Sequence, residues 1–361
     1  MAERNERHSR APAVAGRFYP AEAEVCRRQA QSFLDVEPNT ERAWVGGVVP
    51  HAGWVCSGAI AGETIAALAA ARGPVDVVVV FGAIHTPLRV PFAALDSHER
   101  WLMPGGGAEL PMELQAKLEE EGGLFAVEEQ LHREEHAVEV EVPLIQLAFP
   151  GAMILPVETP PIESAMAMGR RAAEVIRGAG LKAVYLASSD LTHYGPAYHY
   201  APVGVGEEAM RWSKGNDRRI LDLVERMEGE RVVGEAKQHR NACGAGAIAA
   251  MLAACRESGA STGRVLRHAT SYETLASVQP QPPTNAVGYA AVVVGQGVGS
   301  VVSGQGERVQ GSVQGFRLVG GEVLGGAFSA YGVRPASYLR RCGRSSWWCR
   351  AWRFPLAGGL A

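Results

Sequence analysis

Three short apolar runs in this chain each stop at an imidazole. Val45-Gly46-Gly47-Val48-Val49-Pro50 leads into His51, and Val77-Val78-Val79-Val80-Phe81-Gly82-Ala83-Ile84 leads into His85. Ala183-Val184-Tyr185-Leu186-Ala187 leads into Ser188-Ser189-Asp190-Leu191-Thr192-His193. Runs this short, partly β-branched and bounded by turn residues, read as buried strands. In open α/β sheets, ligands bind beyond the carboxyl ends of the strands. If the three strands are parallel neighbours, their histidines and Asp190 converge on one rim.

Helical patterns fill the intervals. Helices are expected at 21–34, about 59–71, 112–121, 163–178 and 206–228, and an apolar one opens near Asn241 and runs to Ala254. Further strands are expected at 92–95, 152–157, 264–270 and 286–294. This alternation predicts an α/β class: a single domain over residues 11–294, with a mixed, mostly parallel sheet and helices on both faces. Residues 1–10 read as a disordered leader. Residues 295–361 form a low-complexity tail with eight Arg, no Lys, and only Glu307 and Glu322 as acids. Such a composition is expected to be poorly ordered, and no function is built on it.

Composition excludes several classes. A formal net charge of −3 over 361 residues gives no basis for nucleic-acid binding. Six Cys in so long a chain are not a disulfide scaffold. Met1–Arg10 has no apolar h-region. No apolar run approaches the ~20 residues of a membrane span, the longest candidate being Ile65–Ala71. The expectation is a soluble protein of a reducing cytoplasm, with neither nucleic acid nor membrane as partner.

His51 and His85, at strand ends in Gly/Pro-rich turns, are the leading ligand candidates. Cys243 adds a soft donor at the start of an apolar helix, with Asn241 expected as its N-cap. A helix N-terminus favours the thiolate, and a metal would deprotonate it outright. Two imidazoles and a thiolate suit Zn, Cu or Fe better than Mg or Ca. Asp190 and His193 are then expected beside the metal, as groups that orient a ligand or move protons. Glu135, His136, Ser189 and Tyr194 are candidates for the pocket wall. His132-Arg133-Glu134-Glu135-His136 also fits the H-x-x-E-H pattern of helical zinc peptidases. In so charged a segment, a solvated helical face is the ordinary reading. Cys26, Cys56 and Cys255 read as packing residues, and His8, His98, His199, His239 and His268 as structural or surface residues.

Six segments in order carry a resemblance. They are Val14–Pro20, Pro50-His51-Ala52-Gly53, Gly82–Leu88, Glu135–Glu139, Ser188–Gly195 and Asn241-Ala242-Cys243-Gly244. Together they resemble the successive motifs of the Memo family, whose bacterial and archaeal members are labelled AmmeMemoRadiSam system protein B. Phe81-Gly82-Ala83-Ile84-His85 departs from the Pro-Ser or Pro-Asn that commonly precedes that histidine. The resemblance implies a fold like the class III extradiol (LigB-like) dioxygenases. It implies His51, His85 and Cys243 as ligands of iron or copper, with Cys243 where those dioxygenases place a carboxylate. His193 falls at the acid/base position, with Asp190 beside it. A redox-related metal protein is implied, working with a radical SAM protein and an AMMECR-type protein. The alternatives are a non-catalytic peptide- or anion-binding module and a true Fe(II) extradiol dioxygenase.

Overall fold

The computed structural model describes residues 8–37, 43–120 and 122–296. The first seven residues of the expected leader, and the expected tail from residue 297, lie outside the described residues. The elements run β1 (Ser9–Arg10), α1 (Ala23–Leu34), β2 (Trp44–Val49), α2 (Trp54–Arg72), β3 (Val77–Gly82), β4 (Ala93–Leu95), β5 (Arg100–Met103) and β6 (Gly106–Glu109). Then come α3 (Met112–Glu119), β7 (Phe125–Val127), α4 (Glu129–Arg133), a 3-10 turn at Glu139–Glu141, α5 (Val142–Ala148), β8 (Met153–Glu158), α6 (Ala165–Gly178) and β9 (Ala183–Ser188). The series closes with β10 (His193–Tyr194), a 3-10 turn at Pro196–Tyr198, α7 (Glu207–Glu225), α8 (Gly229–His239), α9 (Ala245–Glu257), β11 (Thr262–Thr270), α10 (Ser271–Thr274) and β12 (Ala286–Gly295).

A nine-stranded mixed sheet organises these elements, in the order β10-β12-β2-β9-β3-β8-β4-β7, with β11 on the other side of β12's ladder. β2, β9, β3 and β8 are mutually parallel. β12 pairs antiparallel to β2, and β4 antiparallel to β8. The parallel block explains the unbroken apolar runs: a parallel sheet is covered on both faces, so both side-chain sets are buried. Val77, Val79 and Phe81 join a core with α6 and α9, whereas Val78 and Val80 join one with α2 and α5. That alternation follows from the two-residue period of a strand.

Sequence order and spatial order differ. β2-α2-β3 and β8-α6-β9 are both βαβ units, but neither pairs its own strands. β9 enters between β2 and β3, and β3 stands between β9 and β8. Hydrophobic periodicity reports that a strand is buried, not which neighbour buries it.

Several expectations are corrected. α2 begins at Trp54, five residues before the expected start. Gly58 lies inside the helix and permits a close contact: a Cβ there would lie 2.4 Å from the Phe33 ring of α1. At 19 residues α2 is long and apolar enough to cross a membrane by length and composition, which Ile65–Ala71 did not suggest. Its apolar side is packed inside this fold. The expected exposed helix at 206–228 is α7 alone, and it buries a stripe that includes Asp217 and Ile220. α8 follows it unanticipated. Ser9–Arg10, expected in the leader, pairs with β5 in a separate three-stranded sheet, β1-β5-β6.

Candidate metal centre

β2, β9 and β3 are adjacent and parallel, so the convergence expected from the three apolar runs is realised. Val49 is level with Ser188, and Phe81 with Ala187. His51, His85 and Asp190 therefore leave the sheet at one rim. Cys243 reaches the same place on the loop before α9. Its backbone N–H donates to the Asp190 carbonyl at 3.2 Å. The donor atoms of His51, His85 and Cys243 lie within 4.8 Å of one another. Cys243 Sγ is 3.2 Å from His51 Nε2 and 3.5 Å from the Asp190 carbonyl. Two donors bound at ordinary Zn–N and Zn–S lengths stand about 3–4 Å apart, so the pair is spaced to share one ion.

Asn241 is not the N-cap of α9. Gly244 holds that position, and Asn241 donates instead to the Asn216 carbonyl and to Glu235. Cys243 thus sits just outside the helix. Ser189 is what fixes it there: its hydroxyl accepts the Gly244 N–H at 2.9 Å and donates to the Asp190 carbonyl at 2.8 Å. Ser189 was expected on the pocket wall; it is a fully buried anchor beneath the cysteine loop. Tyr194, another pocket candidate, is buried elsewhere, donating to the Gly204 carbonyl and packing on Trp212. Tyr198, which sequence reasoning did not single out, lies with its ring centroid 5.2 Å from that of His193.

The segment after α4 supplies the frame. Helix α4 ends at Arg133, so His132 and His136 do not share a helical face and the peptidase pattern is not formed. Nor is the segment a solvated face: His132, Glu135, His136 and Glu139 are all buried. Glu135 accepts the His85 backbone N–H at 2.6 Å and faces His85 Nδ1 at 2.9 Å. It also accepts the backbone N–H groups of His136 and Ala137. The His136 ring stacks on His85 at 4.6 Å, stands edge-on to His51 at 5.3 Å, and meets Phe18 at 5.0 Å. His85, Glu135 and His136 form a second close donor group. However, His85 Nδ1 and Glu135 are already hydrogen-bonded to each other, so this group is better read as scaffold for the first.

The electrostatics separate the roles. Burial opposes ionising Glu135, but His85 and His136 hold its pKa well below the usual carboxylate range. Burial likewise opposes charge on His85, yet Glu135 and Cys243 hold its pKa well above the ordinary value. Burial, then His85 and His136, push His51 well below. Burial lowers His193 to about 4, with His85 and His136 adding to the effect. Burial raises Asp190 to about 7, against the backbone N–H groups of His51 and Ala52. His193 Nε2 lies 3.9 Å from Asp190 Oδ2, and its side chain is 22% exposed. At neutral pH the rim presents a neutral, partly open imidazole beside a carboxyl near its midpoint.

Sequence reasoning gave no role to Ser188, Glu141 or Glu158, and read Glu139 only as facing the site with Glu135 and His136. Ser188 lies 2.8 Å from His51 Nδ1. Glu139 binds Arg10, the backbone N–H groups of Ala13 and Val14, and the Tyr19 hydroxyl. Glu141 and Glu158 are fully buried, with carboxyl oxygens that have no hydrogen-bond partner among the described residues. Burial raises both well above the usual carboxylate range. One hint was present: Glu139 and Glu141 alternate with Val138, Val140 and Val142, a spacing a solvated helix would not show.

A His/His/Cys donor group on the carboxyl rim of a mixed α/β sheet places this chain among α/β proteins with a strand-end group of residues that could hold a soft or borderline metal. Comparison with known proteins gives the particular family. A model of the Memo-like protein family matches residues 10–293. A MEMO1 family protein of Methanococcoides burtonii is 33% identical over 290 residues, covering 79% of this chain and 99% of its own. One from Thermococcus onnurineus is 32% identical over 299 residues, covering 79% of this chain and 98% of its own. The Pyrococcus horikoshii protein PH1626 of the same family is 30% identical over 295 residues. The chain belongs to the Memo family.

Proposed function

We propose that this protein binds a redox-active transition metal through His51, His85 and Cys243. The carrying observation is the convergence of two strand-end imidazoles and one thiol, with donor atoms within 4.8 Å of one another. The donor chemistry fits iron or copper, and zinc would be held by the same donors without redox chemistry. Bound there, such a metal would supply Lewis acidity or one-electron chemistry. The chain's own residues would do the rest. Glu135 orients His85, and His193, neutral at pH 7, accepts a proton from a substrate at the open side of the rim. Asp190 holds the turn that carries His51. On this reading the protein works with a radical SAM protein and an AMMECR-type protein in a reducing cytoplasm.

The test is elemental analysis with X-ray absorption on protein purified anaerobically. The expected result is one metal per chain with a single sulfur ligand, and a sharp loss of metal in Cys243→Ser. Unchanged metal content in that variant would remove Cys243 from the ligand set. His193→Ala is expected to retain the metal; its loss there would make His193 a ligand instead.

A further inference from the structure

A hydroxyl group has one proton, and the proton of Ser188 is already committed. Ser188 Oγ donates to the Ala137 carbonyl at 2.5 Å, and a carbonyl can only accept. Toward His51, Ser188 can therefore only accept. The 2.8 Å contact between His51 Nδ1 and Ser188 Oγ is accordingly an Nδ1–H donation. The neutral imidazole carries one proton, so Nε2 is left with its lone pair. That lone pair faces Cys243 Sγ at 3.2 Å.

We propose that Ser188 is a positioning residue that fixes the tautomer of His51 and so selects Nε2 as its donor atom. The direction originates in the Ala137 carbonyl, two residues from Glu135, whose carboxylate receives Nδ1 of His85 at 2.9 Å. One short turn, Glu135–Ala137, thus sets both histidines: His85 directly through a carboxylate, His51 through a relayed backbone carbonyl. The register of the sheet makes the relay possible, because Ser188 is the residue of β9 opposite Val49, two before His51. Ser188 is fully buried, so bulk water does not reach either contact. Groups that hold the second ring nitrogen of a ligating histidine typically change metal affinity ~10–100-fold when removed.

The inference deepens the metal-site reading and rests on it for its purpose, but its test separates the two. Nitrogen-15 NMR of the imidazoles in metal-free protein reads the tautomer directly. The expected result is Nδ1–H for His51 in the wild type; an Nε2–H tautomer overturns the proposal. In Ser188→Ala, shown to be folded by its amide spectrum, the Nδ1–H preference is expected to be lost. Its Zn2+ affinity is expected to fall ~10–100-fold. A folded Ser188→Ala that keeps the wild-type tautomer and affinity overturns the assignment. Wild-type protein with the Nδ1–H tautomer and no Zn2+ binding would sink the metal reading while leaving the tautomer lock standing.

Discussion

Asp190 shows how a single buried group ties this rim to pH. Its carboxylate accepts the His51 N–H at 2.9 Å, and burial lifts its pKa from 3.8 to about 7. The folded protein therefore holds a proton that the unfolded chain releases at lower pH. Between those two values the native state binds more protons, so stability falls as pH rises from about 4 to about 7. Asn at this position keeps the oxygen that accepts the backbone N–H groups and removes the titration. Denaturant unfolding of metal-free Asp190→Asn is thus expected to show a flatter pH profile over that window, and a profile as steep as wild type would refute the assignment. His51 and His85 were legible from the sequence because the runs before them are continuous and apolar. Ser188 was not: a hydroxyl after a strand has the same appearance whether it bounds a turn or directs an imidazole. Glu135 was expected on the pocket wall, but its hold on His85 was hidden for another reason. The string His-Arg-Glu-Glu-His has the composition of a solvated helix, and only the end of α4 at Arg133 turns its last two residues inward.

The segment that leads into α1 and the turn after α4 act as one unit. Arg10 donates to the carbonyls of His132 and Glu135 and to the Glu139 carboxylate, all at 2.7 Å, with its guanidinium 4.0 Å from the centroid of the Trp101 ring. Both members of the Arg10–Glu139 pair are almost wholly buried. Removing one partner of such a pair leaves an uncompensated charge, at a cost of about 3–5 kcal/mol. Arg10→Ala is expected to lose stability of that order in chemical denaturation, together with metal affinity, because the clamped turn orients His85. A loss below about 1 kcal/mol would mean the turn is held by other contacts. β5 and β6 were illegible before the structure, since Arg100–Met103 and Gly106–Glu109 lack a clean alternation and are defined by pairing with each other and with β1. The α/β class was plain from the alternation of strands and helices; the insertion of β9 between β2 and β3 was not, because no local pattern encodes a distant neighbour.

At the scale of the whole molecule, metal binding and folding are expected to be linked. The donors come from two strand ends and a loop far apart in sequence, and the unfolded chain does not hold them together. Zn2+ at about a hundred times its dissociation constant is then expected to stabilise the protein by about 2.7 kcal/mol. Thermal unfolding with and without Zn2+ measures this. Cys243→Ser should lose most of the gain, and an undiminished gain would point to a different site. The interleaved strands also impose a timetable on the protein's making. While a ribosome has delivered only β2 and β3, the slot between them belongs to a strand not yet synthesised, and His51 and His85 have no common wall. Adding β9 closes that slot and brings Ser188 beneath His51. The thiol follows more than fifty residues later still. On the proposed metal reading, loading would be confined to the end of synthesis, since a chain released early carries two of the proposed donors without the third.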